Sequence, residues 1–259
     1  MEPLPADHPI RRAPNVLLTP HLGASTVEGQ RNVAVDACVG VRDALLRGDV
    51  SRSINVAAVS GAEWGELQAA MLIAQRAAAL ARAVLAGQGL RAIRRLSVRC
   101  GPELIGASGA LLSAAALGLL EGVLETDRLN MINARALAEQ RGIELAVSEV
   151  SQLESPYSVE VALAGGMQEL AVGGVAPPGM TARITRIGSY HVDVAPRKTL
   201  LVLTNNDVPG VIGRVGTLLG DRGVNIAEYH QARLAQGGEE VLPRPIRAGA
   251  GLAVLVIAC

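Results

Sequence analysis

Apolar residues along this chain recur first at helical spacing and later in alternation. Val33, Ala37, Val41, Ala44 and Leu45 fall on one helical face, predicting a helix behind the capping box Ser25-x-x-Glu28 and before a stop at Gly48. Just upstream, the apolar run Asn15-Val16-Leu17-Leu18 predicts a short buried strand over 15–19. A second box, Ser60-x-x-Glu63, opens a helix of roughly six turns, with Leu67, Met71, Ala74, Ala78 and Leu85 on its buried face. Arg91–Cys100 reads as a strand and 107–124 as an Ala/Leu helix. Asn133 caps a third helix that Gly142 ends.

Beyond Gly142 the period becomes two. Ile143–Val150, Ser158–Leu163 and Glu169–Val172 are predicted strands, with Gly165-Gly166 in the turn between the last two. Ile184–Ile187 and Tyr190–Val194 flank Gly188-Ser189, a two-residue hairpin signal. A further unit starts near Lys198. Its strand Leu200–Leu203 is followed by a polar turn and a helix carrying Val211, Ile212, Val215, Leu218 and Leu219. Gly223 ends that helix, and strands follow at Asn225–Leu234 and Leu252–Ala258, with Gly237-Gly238 in a turn between. The order β-α-β-β is most of a small ferredoxin-like unit.

Composition narrows the function classes. Lys+Arg and Asp+Glu are 24 each among 259 residues, so no net field draws the chain to nucleic acid or an anionic membrane. Aromatics are 2% and Phe is absent, which argues against base stacking. Cys38, Cys100 and Cys259 form no C-x-x-C pair; the expectation is three small buried hydrophobes in a reducing compartment, and no metal site. The N-terminal residues lack the pattern of a signal peptide, and no apolar stretch is read as pure and long enough to span a bilayer. The expected setting is soluble and cytoplasmic.

Three stretches carry a family resemblance: 15–30 (NVLLTPHLGASTVEGQ), 53–60 (SINVAAVS) and 200–229 (LLVLTNNDVPGVIGRVGTLLGDRGVNIAEY). With them the chain resembles the C-terminal portion of long-type D-3-phosphoglycerate dehydrogenases. The resemblance implies an α+β fold in three parts. Residues 1–50 would be the end of the catalytic region, 51–197 an intervening domain, and 198–259 a truncated ferredoxin-like ACT domain. It also implies the cofactor NAD, L-serine biosynthesis, allosteric regulation with L-serine as effector, and a homo-oligomer.

By the same resemblance, His21 is the catalytic acid/base, and His21, Leu22, Gly23 and Ala24 form the turn against the nicotinamide. Asn205, Asp207 and Asn225 match effector-contacting positions, usually shared across a subunit interface. Arg183 and His191 match a possible anion site, although a neighbouring basic position is Ala195 here; surface charge on a hairpin is the default reading. The family's glycine-rich Rossmann turn, its substrate-binding arginine and its histidine-orienting glutamate are absent from this sequence, so the chain alone is expected to be inactive and unlikely to bind NAD. Gly210, Gly213 and Gly216 are spaced G-x-x-G-x-x-G, which fits a close-packing or flexible helix better than a dinucleotide loop. Two other readings are a non-catalytic amino-acid-binding and oligomerisation module, and the regulatory part of an L-serine dehydratase. The missing cysteine cluster and the His21 motif weigh against the latter.

Overall fold

A computed structural model of the chain describes residues 4–47, 49, 52–53, 61–123, 129–149, 155–205, 208–233 and 251–258. The fold is α+β, with helices and two β-sheets, and it divides into two units, Met1–Arg52 and Ser53–Cys259.

The first unit holds one long helix, α1, Val27–Arg47. Its cap lies one residue beyond the expected box: Thr26 Oγ1, not Ser25, accepts the Gly29 N–H at 3.0 Å. Gly48, the expected stop, is outside the described residues. Because this bond satisfies one of the helix's orphan donors, Thr26→Ala should cost about 1 kcal/mol of local helix stability. Amide exchange at Val27–Gln30 should rise, with exchange farther along α1 unchanged; unaltered protection in the first turn would refute the cap.

The strand expected at 15–19 does not form, and Leu17 is 88% exposed. A strand must place its N–H and C=O groups on a neighbour, and this unit has no strand among its described residues. The predicted apolar face of α1 is real as a pattern but buries nothing; Val33, Val41 and Leu45 are exposed. Cys38 on the same helix is exposed as well, against expectation, whereas Cys100 is buried.

The second unit begins with α2, Gly61–Gly87, whose expected cap Ser60 is outside the described residues. Its apolar spacing works as predicted: Leu67, Ala74, Ala78 and Leu85 are buried, with Ala70, Ile73, Ala77 and Ala81 on the same side. Met71 is only half-buried. Strand β1, Arg95–Cys100, follows and alternates, with Leu96, Val98 and Cys100 inward. Helix α3, Ser108–Leu120, and the short α4, Ala134–Gln140, then lead to β2, Glu144–Glu149, which lies parallel to β1. Asn133 precedes α4, but its side chain does not cap it; Asn133 Oδ1 accepts the Asn130 N–H at 2.9 Å instead.

Four antiparallel strands complete the larger sheet: β3 (Ser158–Gly165), β4 (Gln168–Val175), β5 (Arg183–Ile187) and β6 (Tyr190–Val194). The order is β2-β1-β3-β4-β5-β6. Gly165 belongs to β3 and pairs with Gln168, so the turn is Gly166-Met167, with Gly166 at φ 59°. Gly188-Ser189 joins β5 to β6 as predicted, with Gly188 at φ 57°. Helix α2 packs against α3 and across β3 and β4.

The smaller sheet is built from β7 (Thr199–Asn205), β8 (Asn225–Arg233) and β9 (Gly251–Ala258), in the order β7-β9-β8, all antiparallel. Helix α5, Val211–Gly220, covers one face. There Val215 and Leu219 pack with Leu201, Leu203 and Tyr229 around Ala253, Leu255 and Ile257. On the other face Leu252, Val254 and Val256 are also buried. Gly210 occupies the left-handed region at φ 87° just before α5. Gly213 and Gly216 have no atom within reach of an added Cβ, so the close-packing reading of this helix fails within the chain. Gly237-Gly238 lies outside the described residues.

Two stretches, Leu67–Gly87 and Pro102–Leu120, do reach the length and hydropathy of a membrane span, which corrects the sequence reading. The second is a 3-10 turn, Pro102–Ala107, followed by α3, and not one continuous helix. Both helices pack on one another within the second unit.

Candidate functional site

His21 sits on an exposed turn ahead of α1. The Ser25 N–H donates to the Leu22 carbonyl at 3.2 Å and closes the turn. Gly23 lies beneath the imidazole: a Cβ placed there would stand 3.7 Å from His21 Cδ2 and Nε2. A methyl would fit at that distance, but it would cover one side of the ring. Leu22 is 57% exposed, and Ala24 completes a small-residue surface. His21, Leu22, Gly23 and Ala24 are thus four consecutive exposed residues on one turn.

The two described effector candidates are not together. Asn205 ends β7 opposite Gly251, while Asn225 begins β8 opposite Ala258. Those partners are the two ends of β9, so the asparagines lie roughly 23 Å apart at about 3.3 Å per residue. No amino acid touches both within one chain. Asp207 is outside the described residues. Asn205 is instead paired with Gln231: each side-chain amide donates to the other's carbonyl oxygen at 3.3 Å. Tyr229 Oη donates to Gln231 Oε1, also at 3.3 Å. The pairing reaches over β9 because Gly251 and Ala253 are small.

Arg183 is committed to Asp193: Nε donates to Oδ1 at 2.5 Å and Nη2 to the backbone carbonyl at 2.6 Å. His191 is exposed, and its cross-strand neighbour is Arg186. Sequence reading missed the group beside it. Glu160, only 2% exposed, is clamped by Arg99 from β1 and Arg186 from β5. Register explains the clamp: Arg99 faces Glu160, Glu160 faces Gly173, and Gly173 faces Arg186. Because Gly173 has no side chain, Arg186 reaches across β4. A glutamate inside the apolar run Ser158-Val-Glu-Val-Ala-Leu163 was the one signal available. Among the described residues, no three His, Cys, Asp or Glu side chains are grouped to hold a metal ion.

The chain's relatives are dehydrogenases. D-3-phosphoglycerate dehydrogenase of Synechocystis is 32% identical over 93% of this chain and 43% of its own length. The enzyme of that name from Archaeoglobus fulgidus is 31% identical over 87% of the chain and 42% of its length. The one from Mycobacterium tuberculosis is 32% identical over 92% and 45%. No protein-family model matches the chain. The chain therefore spans less than half the length of the curated relatives it matches. It belongs to the D-3-phosphoglycerate dehydrogenase family and corresponds to a C-terminal portion of that enzyme.

Proposed function

We propose that this chain is the regulatory part of an NAD-dependent D-3-phosphoglycerate dehydrogenase of L-serine biosynthesis, and that it also brings His21 to the active site. The observation that carries the reading is the alignment of such enzymes along nearly the whole chain. The intervening domain would be 51–197 and an ACT domain 198–259. When bound, NAD supplies the hydride acceptor. His21 takes the hydroxyl proton as the alcohol becomes a ketone, which suits a group whose ordinary pKa lies near neutrality. The turn Leu22-Gly23-Ala24 provides a wall without long side chains for the nicotinamide. The remainder of that pocket lies outside the residues described, and the exposed apolar residues Val16–Leu18 and of α1 are suited to pack against it. The protein would be soluble and cytoplasmic.

The regulatory reading requires two copies. Asn205 and Asn225 stand at opposite ends of the small sheet, so a serine that uses both must lie between Asn205 of one chain and Asn225 of another. Its α-carboxylate would meet the N-terminal amides of α5 near Gly210. The anion site is less well supported, since an anion at Arg183 would have to displace Asp193. The serine dehydratase reading is not favoured, as the relatives are phosphoglycerate dehydrogenases.

Two measurements test this reading. Calorimetry should detect saturable L-serine binding by a dimeric or larger species, abolished in both Asn205→Ala and Asn225→Ala. The chain mixed with NAD and 3-phosphoglycerate should form no NADH. Joined to the N-terminal part of the Synechocystis relative it should gain turnover, and His21→Ala should lower that turnover by a factor of about 100 or more. Serine binding by monomers would overturn the shared site, and full turnover in His21→Ala would overturn the catalytic assignment.

A further inference from the structure

Apart from the His21 turn and the small-sheet asparagines, a cavity of about 380 Å³ opens where the C-terminal turns of α2 meet the end of β5 and the edge strand β7. Leu80, Val84, Ile187, Leu200, Val202 and Leu252 make it apolar, and the polar side chains on its lining are Gln88 and Thr204. Among the described residues, none that lines it is charged. The size lies within the range of small-molecule pockets, and the lining selects against ions.

Gln88 is the informative residue. Its Oε1 is shut off from solvent and accepts no hydrogen bond among the described residues. A buried carbonyl without a donor is costly, so native structures seldom keep one without a reason. The backbone holds Gln88 firmly in place. Its N–H donates to the Val84 and Leu85 carbonyls at 3.1 Å each, and Leu90 N–H returns to Leu85 at 3.0 Å around Gly89, whose φ is 93°. Only the side-chain torsions are free, and the last of these is soft. Rotation about these torsions is what would present the amide oxygen to a molecule in the cavity.

We propose that this cavity is a binding site for a small, neutral, compact apolar molecule bearing one hydrogen-bond donor, which it gives to Gln88 Oε1. The ligand would join α2 of the larger-sheet domain to β7 of the smaller sheet, so its occupancy would stiffen the connection between them.

Indole and benzothiophene test the idea, since they share shape and differ in a single N–H donor. Titrations followed by amide chemical shifts should show saturable indole binding with shifts at Gln88 and Thr204. Benzothiophene should bind about 5-fold more weakly, the typical net effect of one hydrogen bond. In Gln88→Leu the two affinities should become equal, with the protein at least as thermally stable because the orphan carbonyl is gone. Ala83→Trp, made at an exposed position on the cavity rim, should block both ligands. Equal affinities in the unmodified protein, binding that survives Ala83→Trp, or no saturable binding of either compound would each overturn the proposal.

Discussion

Gly118→Val should lower the midpoint of thermal unfolding by roughly 6–12 °C, corresponding to about 3 kcal/mol in a domain of this size. A Cβ added at Gly118 on α3 falls onto the Gln75 carbonyl oxygen of α2 and comes within 3.0 Å of Gln75 Cα. Those are backbone atoms, so no rotamer change relieves the overlap, and the helices must separate. Separation opens the Ala74, Ala78, Ala114 and Ala115 packing around the crossing. It also pulls on the 2.5 Å hydrogen bond from Gln75 Nε2 to Glu121 Oε1. Even Gly118→Ala should destabilise, although Gly→Ala inside a helix ordinarily stabilises by about 1 kcal/mol. Gly216→Ala on α5 is the matched control, because nothing lies within 4 Å of its added methyl; it should stabilise. Circular dichroism melts of the three variants check the pattern, and a stabilising Gly118→Ala would show that the helices do not cross as described.

The second large effect lies in the Arg99–Glu160–Arg186 row, and the order of the variants matters more than any single value. Replacing both arginines, as Arg99→Met with Arg186→Met, leaves a carboxylate buried without a cation. Breaking a buried pair in this way costs about 3–5 kcal/mol. Removing the acid as Glu160→Met costs less, on the order of 1 kcal/mol. Both guanidiniums already reach solvent, with 42% and 34% of their side chains exposed, and can turn outward. Urea unfolding should therefore rank the double arginine variant far below Glu160→Met. Restoring charge balance with all three positions apolar should recover much of the loss, since buried ion pairs are often replaceable by packed hydrophobes. If Glu160→Met proves the most damaging of the three, the burial of the carboxylate is not what governs this row.

Local chemistry explains which parts of this molecule were readable in advance. The apolar spacing of α2 reports its own buried face, because a helix carries its hydrogen bonds within itself. Gly188-Ser189 specifies its hairpin, because positive φ is cheap at glycine. The α+β character and the family followed from such local signals and from motif order. The run Val16–Leu18 misled because a strand depends on a neighbour that local sequence does not name. Glu160 escaped notice for the same reason: its partners are 61 and 26 residues distant in sequence, at Arg99 and Arg186, and only the sheet register unites them. The His21 turn was legible as a motif, whereas the separation of Asn205 from Asn225 follows from strand direction alone. Gln88 gave no sequence signal, since an unpaired buried oxygen is defined by what fails to surround it.

In the small sheet, β7 and β8 form their backbone ladders with β9 and not with each other; Asn205 and Gln231 meet across it by their side chains. β9 follows both of its neighbours in the chain, so during synthesis the two outer strands, apolar Leu200–Leu203 among them, wait for their backbone partner. Assembly of that layer is thus deferred until β9 has emerged, and before then α5 is the neighbour at hand to shelter β7.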